Sequence, residues 1–279
     1  MHAAEVGLSQ TALAFDRLAA TYGATVDDAP MGREIHARTQ HVLDAHLPTA
    51  GTVIDFGCGI GTDALWLASR GNHVLAIDLS PGMLAVARQR VGAAGYAEVI
   101  ELRHGSIEQL RRPLEGWPPV VGALCSLGAL DTLADGAGYF SALAPHLGAG
   151  ATVVTSTANP WCATDALLGI LAGDRARLRR RHGPMTTLQV ASVPVPLYPR
   201  DLPTIEQCAT PHFVLRSVEA LPLLLPPRTA AALEARRGRD LHALLPIDRA
   251  LASLPVLRLL GDHLLVRWER TRSPAPDLR

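Results

Sequence analysis

Three glycines and two carboxylates in the first third of the chain indicate a ligand-binding site. Residues 55–61 read Asp-Phe-Gly-Cys-Gly-Ile-Gly, and Asp78 follows 17 residues after Gly61. Glycines allow a tight turn and remove the side chains that would keep a ligand away from the backbone. A carboxylate at the position of Asp78, after a second strand, can accept hydrogen bonds from both hydroxyls of a ribose. The spacing therefore predicts that this segment binds a nucleotide-like molecule.

The charge around the glycines distinguishes between two kinds of nucleotide-like ligand. A dinucleotide-binding loop normally has a third glycine where this chain has Thr62, and it places a helix N-terminus against a pyrophosphate. Here Asp55 and Asp63 flank the loop, and their negative charge is unfavourable beside a pyrophosphate but favourable beside a cation. S-adenosylmethionine carries a sulfonium and an ammonium group. We therefore expect S-adenosylmethionine rather than NAD, with a structural turn that binds nothing as the alternative.

The elements that must position these residues alternate between short apolar runs and helical stretches. The predicted strands span residues 52–56, 73–77, 99–102, 120–125 and 151–156. The predicted helices between them span residues 62–69, 81–91 and 138–147. Such alternation is typical of βαβ units, whose parallel strands end at one edge of the sheet. We expect a Rossmann-like α/β fold.

The segments on either side of this core have different patterns. Two helices are predicted before it, at residues 10–22 and 31–45, and two strands after it, at 213–218 and 263–268. Residues 161–181 and 230–254 are predicted to be largely helical, and residues 193–203 are rich in proline. We expect a single domain, 1–279, made of N-terminal lid helices (1–48), a cofactor-binding core (49–157), a helical substrate cap (158–211), final strands and helices (212–271) and a tail (272–279).

The composition argues against several classes of function. The chain has 279 residues with 26 basic and 26 acidic side chains, so it has no overall field that would attract nucleic acid. Every basic residue is arginine, which excludes Schiff-base chemistry on lysine. The four cysteines form no CxxC pair, so a metal or redox site is not expected. Neither a signal peptide nor a run of 18 apolar residues is recognisable, and we expect a cytoplasmic protein.

A longer segment around the glycines has a family resemblance. Residues 53–84 read VIDFGCGIGTDALWLASRGNHVLAIDLSPGML. They resemble the cofactor motif of class I S-adenosylmethionine-dependent methyltransferases, and the resemblance extends over about residues 10–157. It implies a seven-stranded, mostly parallel sheet with helices on both faces and an antiparallel last strand. It also implies methyl transfer from S-adenosylmethionine to a small molecule, which leaves S-adenosylhomocysteine as product.

The resemblance also implies which positions hold the cofactor. By position, Asp55 would hold the amino group, Asp78 the ribose hydroxyls, and Ser106 the adenine edge, where the family often has an acidic residue instead. The full set of expected cofactor-binding residues is Tyr22, Arg33, Asp55, Gly57, Cys58, Gly59, Gly61, Asp78, Leu79, Met83, Ser106, Ile107 and Cys125. For Tyr22 and Arg33, a place on the helix surface is the alternative.

Residues for catalysis and substrate binding carry no motif, because methyl transfer requires mainly alignment and exclusion of water. A base is needed only where the acceptor must lose a proton. The candidates for catalysis are His36, Tyr22 and Asp131, with a helix cap as the alternative for Asp131. The candidates for substrate binding are Ser126, Trp161, Tyr198 and Arg200, with ordinary packing as the alternative.

Three functions remain open from the sequence. The first is methylation of a small metabolite or lipid-like molecule. The second, methylation of RNA, is less expected, since residues 125–131 lack the N/D-PP-Y/F motif of relatives that methylate nucleic-acid amino groups. The third is a protein that binds the cofactor without transferring a methyl group. The basic residues 175–181 could contact an anionic membrane surface, although a solvated helix face is favoured, and both a monomer and a homodimer remain open.

Overall fold

The computed structural model describes residues 2–114, 116–179, 181–225 and 243–272. Its helices are α1 (His2–Tyr22), α2 (Pro30–His46), α3 (Thr62–Ser69), α4 (Pro81–Ala93), α5 (Ile107–Leu110), α6 (Gly136–Leu143), α7 (Ala163–Ala172), α8 (Arg175–Arg179), α9 (Leu202–Ala209) and α10 (Leu245–Leu251). Its strands are β1 (Thr52–Phe56), β2 (His73–Asp78), β3 (Ile100–His104), β4 (Val120–Cys125), β5 (Leu147–Ala158), β6 (Thr186–Val190), β7 (Val193–Leu197), β8 (Phe213–Leu221) and β9 (His263–Arg270). A π-helical turn (Gly23–Asp27) follows α1, and a 3₁₀ turn (Leu130–Thr132) follows β4.

Seven strands form one sheet in the order β3-β2-β1-β4-β5-β9-β8. Strands β1 to β5 pair in parallel, and β9 runs antiparallel to both β5 and β8. The Rossmann-like fold and the antiparallel last strand that the sequence led us to expect are confirmed. The order reverses between β1 and β4, and such a switch point leaves a crevice at the carboxyl ends of the strands.

Apolar side chains bury both faces of the sheet. One face packs on α6 and α9 through Phe140, Phe213 and Trp268, whose indole N–H donates to the Thr155 hydroxyl at 2.9 Å. The other face is covered by α3 and α4, and by α2. Because both faces are buried, the central parallel strands β1, β2 and β4 are largely apolar, which is why their positions were recognisable from sequence.

The cap differs from the helical insertion that we expected. Helix α7 ends at Gly173, which adopts a left-handed conformation (φ 65°), so residues 161–181 do not form one helix. The proline-rich segment contributes to an antiparallel hairpin, β6–β7, in which Pro194 pairs with Gln189 and Pro196 with Thr187. Proline lacks an N–H for a ladder, but it fits a two-stranded hairpin whose outer edge needs no partner. This hairpin packs against α1, where Val193 and Val195 bury Ala14.

Two other predictions concern the C-terminal part. Residues 226–242 and 273–279, which include part of the predicted helix 230–254 and nearly all of the predicted tail, lie outside the described residues. Within the described part, Leu221, Leu223 and Leu225 are buried in the interior. Across the described ranges, no helix combines the length and the apolarity needed to span a membrane.

Candidate functional site

A cleft opens at the carboxyl ends of β1, β2 and β4, and α1 covers it; we call it the loop cleft. Its empty space is about 890 Å³, part of which is open to solvent. Eleven of the residues that we expected to act in binding or catalysis line it, namely Tyr22, His36, Asp55, Gly57, Cys58, Gly59, Asp78, Leu79, Met83, Ser106 and Ser126. The fold thus brings together side chains from α1, α2 and the ends of three strands.

The glycines of the loop take conformations that other residues rarely adopt. Gly57, Gly59 and Gly61 all have positive φ angles, of 77°, 53° and 79°. A Cβ on Gly57 would lie 2.1 Å from the Cβ of Ala129, so this glycine is also required by packing. Gly61 is the N-cap of α3 and packs towards Ala87 on α4. It does not line the loop cleft, so the expected contact with the ligand is not seen for this glycine.

Asp78 stands at the end of β2 with both carboxylate oxygens facing backbone donors. The Gly59 N–H donates to one oxygen at 2.8 Å and the Ser80 N–H donates to the other at 2.9 Å. Burial raises the pKa of Asp78, and these donors lower it only in part. Each oxygen of a carboxylate can accept more than one hydrogen bond, so Asp78 keeps acceptor capacity for two further hydroxyls.

Asp55, at the end of β1, has a buried carboxyl group, and one of its two oxygens accepts no hydrogen bond within the described ranges. It is 3% exposed, and its Oδ2 has no partner among the described residues. Burial raises its pKa well above the usual range, and the nearby charges of Asp63 and Asp78 raise it further. Asp55 and Asp78 both line the cleft, and a cationic ligand there would stabilise their ionised forms.

His36 lies between two carboxylates at the edge of the loop cleft. Its Nδ1 is 2.9 Å from Asp63 Oδ2 and its Nε2 is 3.3 Å from Asp27 Oδ1. Burial alone would lower its pKa, but the two carboxylates outweigh burial and raise the pKa to about 10. The imidazole is therefore protonated at neutral pH and has no lone pair for a substrate. The structure argues against the expected role of His36 as a base and indicates an ionic link instead.

This link joins three elements of the lid and loop. Asp27 belongs to the π-helical turn, His36 to α2 and Asp63 to α3. The Thr62 hydroxyl also donates to Asp27, and the Gln40 amide donates to Asp63 at 2.8 Å. Burial would raise the pKa of Asp27, but the hydrogen bonds from His36 and Thr62 lower it overall. Sequence reasoning missed Asp27 because nothing in its local pattern shows that it meets a helix 35 residues away.

Besides Gly61, three of the expected cofactor residues lie outside the loop cleft. Arg33 is exposed on α2 and donates to the Asp28 carbonyl. Cys125 is fully buried, beneath the end of β4. The Ile107 side chain packs against the core of the sheet. Ser106 and Ser126, by contrast, line the cleft, and Ser126 Oγ has no hydrogen-bond partner within the described ranges.

Asp131 does not cap a helix, and each of its two carboxylate oxygens accepts a hydrogen bond within the fold. It is 1% exposed, and its two oxygens accept hydrogen bonds from the Thr157 hydroxyl at 2.6 Å and the Ala158 N–H at 2.8 Å. Burial raises its pKa, and these hydrogen bonds lower it in part. The role of Asp131 is therefore to tie the turn after β4 to the end of β5.

The expected substrate residues of the cap point elsewhere. The Arg200 guanidinium is buried and donates to the carbonyl oxygens of Leu130, Tyr198, Leu133 and Ala134. The Nη1 and Nη2 groups of Arg200 thus donate to backbone carbonyls, and Arg200 lines neither the loop cleft nor a second, apolar cavity that adjoins this cleft. Trp161 is 57% exposed and lies against His182 with ring centroids 4.9 Å apart. Neither Trp161 nor Tyr198 lines the loop cleft, and neither lines this second cavity.

A second, mostly apolar cavity adjoins the loop cleft and shares Phe15, Tyr22, Leu127, Gly128 and Thr132 with it. We call it the acceptor cavity. Its apolar wall consists of side chains from α1, α2 and the β6–β7 hairpin, including Leu18, Val26, Ile35, Leu188, Val190, Val195 and Leu197. Its polar end holds Ser156, Asp131, Arg181, Asp262 and His263. Sequence reasoning missed this wall because the hairpin was expected to be a proline-rich connection.

The basic segment 175–181 does not form one charged surface. Arg177 and Arg181 pair with Asp165 at 2.7 and 3.0 Å, and Arg181 also pairs with Asp262 at 2.5 Å. Arg175 and Arg179 are exposed, whereas Arg180 lies outside the described residues. Half of the four described arginines are therefore neutralised within the fold. Across the described ranges, no group of three or more His, Cys, Asp or Glu side chains is arranged to hold a metal ion.

Known proteins are similar to this chain in sequence and in fold. Residues 53–150 match a family model described as a methyltransferase domain. Malonyl-[acyl-carrier protein] O-methyltransferase of Serratia marcescens is 36% identical over 108 residues, which are 39% of this chain and 38% of that protein. Demethylmenaquinone methyltransferase of Symbiobacterium thermophilum is 32% identical over 103 residues, 36% of this chain and 41% of that protein. The chain thus spans less than half the length of these curated relatives.

The fold similarity extends over almost the whole chain. The CcbJ methyltransferase of Streptomyces caelestis superposes with a TM-score of 0.59 at 15% identity, and the alignment covers 93% of this chain and 98% of that one. At this identity the similarity concerns the fold alone.

Proposed function

We propose that the chain is an S-adenosylmethionine-dependent methyltransferase that transfers the methyl group to a small, largely apolar acceptor. The match of residues 53–150 to a methyltransferase-domain model supports this proposal. The observation that carries the proposal is the loop cleft, where glycines of unusual conformation lie between the carboxyl groups of Asp55 and Asp78. The apolar cavity that adjoins this cleft supplies a place for the acceptor.

The residues of the loop cleft fit S-adenosylmethionine better than a dinucleotide. The unpartnered oxygen of Asp55 suits an ammonium group, and Asp78 suits the two ribose hydroxyls. Leu79 and Met83 supply apolar surface near Ser106, where we place the adenine. The carboxylates of Asp55, Asp63 and Asp78 would repel a pyrophosphate but stabilise a sulfonium compound.

The enzyme's part in the reaction is mainly positional. When bound, S-adenosylmethionine supplies a methyl group already activated by the positive sulfur. Tyr22, Leu127 and Gly128 line both the loop cleft and the acceptor cavity, so they surround the junction at which donor and acceptor meet. Helix α1 covers this junction and excludes water, which favours transfer over side reactions.

The names of the similar proteins support a small-molecule acceptor. One is named for a malonyl group on an acyl-carrier protein and the other for demethylmenaquinone. The wall of the acceptor cavity in this chain is made largely of leucine, valine and isoleucine side chains. We therefore favour an acceptor with a substantial apolar body over RNA.

The test is calorimetric titration with S-adenosylmethionine, followed by transfer of a labelled methyl group into pools of small molecules. We expect binding, and we expect Asp78→Ala to weaken it about tenfold or more, because a charged hydrogen bond contributes about 1.5–3 kcal/mol. Asp44→Ala is the matched control, since Asp44 is an exposed residue of α2 outside the cleft. Unchanged affinity in a folded Asp78→Ala protein would refute the assignment of Asp78.

A further inference from the structure

His263 and Asp262 form a pair at the polar end of the acceptor cavity. His263 is the first residue of β9 and pairs with Ala158 on β5 and with Leu221 on β8. The end of β5 lies beside the end of β4, where Cys125 pairs with Thr155. His263 is therefore on the same rim of the sheet as the loop cleft, and its side chain lines the neighbouring cavity.

Hydrogen bonds fix the Asp262 carboxylate beside the imidazole ring of His263. It is 2% exposed, and its Oδ2 lies 3.2 Å from His263 Nδ1. Its other oxygen accepts from Arg181 Nη2 at 2.5 Å, and its backbone N–H donates to the Pro222 carbonyl at 2.9 Å. Burial alone would raise the pKa of Asp262, but the charges and hydrogen bonds of His263 and Arg181 lower it, so the carboxylate stays ionised.

This arrangement fixes which nitrogen of His263 is available. Because the Asp262 carboxylate accepts the proton on Nδ1, the lone pair of the neutral ring is on Nε2. Within the described ranges, no residue is hydrogen-bonded to Nε2. His36 differs in that both of its nitrogens face carboxylates. A histidine with one nitrogen oriented by a carboxylate and the other open to a cavity has the arrangement of a general base.

We propose that His263, oriented by Asp262, is the general base that removes the proton from a hydroxyl group of the acceptor, so that the enzyme methylates oxygen on an apolar phenol or enol. The inference rests on the proposed function and names its acceptor class. The apolar wall holds the body of the acceptor, and His263 stands at the polar end.

The step balances without a further reagent. The acceptor O–H bond breaks and its proton moves to Nε2 of His263, while an oxygen lone pair forms the new bond to the methyl carbon. The carbon–sulfur bond breaks with its electron pair going to sulfur, which becomes a neutral thioether. The Asp262 carboxylate stabilises the imidazolium until its proton passes to solvent.

The matched probes are 4-hexylphenol and 4-hexylaniline, which share an apolar tail and differ in the atom that would accept the methyl group. We expect methylation of the phenol and not of the aniline. In His263→Gln, we expect kcat for the phenol to fall about 100-fold or more, the usual contribution of a positioned base. The KM for the phenol and the affinity for S-adenosylmethionine should change less than threefold. His182→Gln, which alters an exposed histidine of the cap, is the control and should keep wild-type activity.

The acidity of the acceptor separates a base from a structural residue. The charged groups around His263 are Asp262, Arg181 and Asp131. The rate of the His263→Gln protein should rise towards the pKa of the phenol, about 10, because a phenol that ionises by itself needs no base. A phenol made more acidic by a nitro group should therefore depend less on His263.

The outcomes distinguish failure of the inference from failure of the proposed function. If calorimetry detects no S-adenosylmethionine binding, the proposed function itself fails. If S-adenosylmethionine binds but the aniline is methylated in place of the phenol, or neither probe is methylated, the assignment of oxygen fails. If His263→Gln keeps wild-type kcat for the phenol, or loses as much activity on the nitrophenol as on the phenol, the role of His263 is overturned.

Discussion

Asp55 shows that a residue suited to binding a ligand can lower the stability of the ligand-free folded protein. Its carboxyl group is buried with one oxygen unpaired, and the charges of Asp63 and Asp78 raise its pKa further. A buried polar group without a partner costs about 1–3 kcal/mol. A bound ammonium group would remove this cost, so the strain contributes to affinity for a cation.

We predict that Asp55→Asn raises the free energy of unfolding of the ligand-free protein at pH 8 by about 1 kcal/mol and weakens binding of S-adenosylmethionine. The sign follows from the raised pKa: the folded wild type loses stability as pH rises through that pKa, whereas the amide does not ionise. Denaturant unfolding at pH 5 and pH 8, with calorimetric titration, measures both effects. A variant that is less stable at both pH values and binds as well as the wild type would contradict the prediction.

At the scale of elements, the contact of His36 with two carboxylates links α2 to the π-helical turn and to α3. The three side chains are each less than one-tenth exposed, so solvent screens their attraction only weakly. The ion pairs of His36 attach the π-helical turn and α2 to α3, the helix that begins directly after the glycine loop. The loop cleft thus depends on an ion pair between segments that are distant in sequence.

The link predicts a loss of stability in alkaline solution. The pKa of His36 is raised to about 10 from an unfolded value of 6.5. Its contribution is therefore fully present below pH 6.5 and is lost as pH rises to about 10. We expect the free energy of unfolding of the wild type to fall by about 2–5 kcal/mol over this range, and that of His36→Gln to fall much less. Denaturant unfolding at several pH values measures this.

The control for His36 lies on the same helix. His41 is exposed on α2, so His41→Gln should follow the wild-type pH dependence. If His36→Gln and the wild type lose stability in parallel between pH 6.5 and 10, the imidazolium link is not present in solution.

At the scale of the whole molecule, two elements that are far apart in the chain hold the lid helix α1 in place. Helix α1 packs on α4 and on the β6–β7 hairpin, and it covers both the loop cleft and the acceptor cavity through Phe15 and Tyr22. A ligand beneath α1 would hold these elements together. Helix α9, by contrast, lines neither the loop cleft nor the acceptor cavity.

We predict that S-adenosylmethionine at 100 times its Kd slows amide hydrogen exchange in α1 and in the π-helical turn by up to about 100-fold, which corresponds to about 2.7 kcal/mol. Exchange in α9, which opens without disturbing the cleft, should change little. Hydrogen exchange with mass spectrometry, with and without ligand, measures the pattern. Equal protection of α9 and α1 would show that the ligand stabilises the molecule as a whole rather than closing a lid.

Much of the fold and half of the site were predictable because they depend on local sequence. The strand of Asp55, the glycine turn, the helix that begins at Thr62 and the carboxylate of Asp78 lie within 27 residues, and parallel strands must end at one edge. The seven strands and the antiparallel last strand followed from the resemblance.

The sequence by itself determined the type of fold and the residues that face a cationic, ribose-bearing ligand, because propensity, glycine geometry and charge act over a few residues. Only the tertiary structure decided the surroundings of His36, Asp131, Arg200 and His263, since these depend on how distant segments pack. The protonated His36 ring donates to Asp63, and backbone carbonyls accept hydrogen bonds from Arg200. At His263, Asp262 orients a ring whose other nitrogen faces a cavity. A side chain's chemistry is fixed by its type, but its availability is fixed by the groups that surround it.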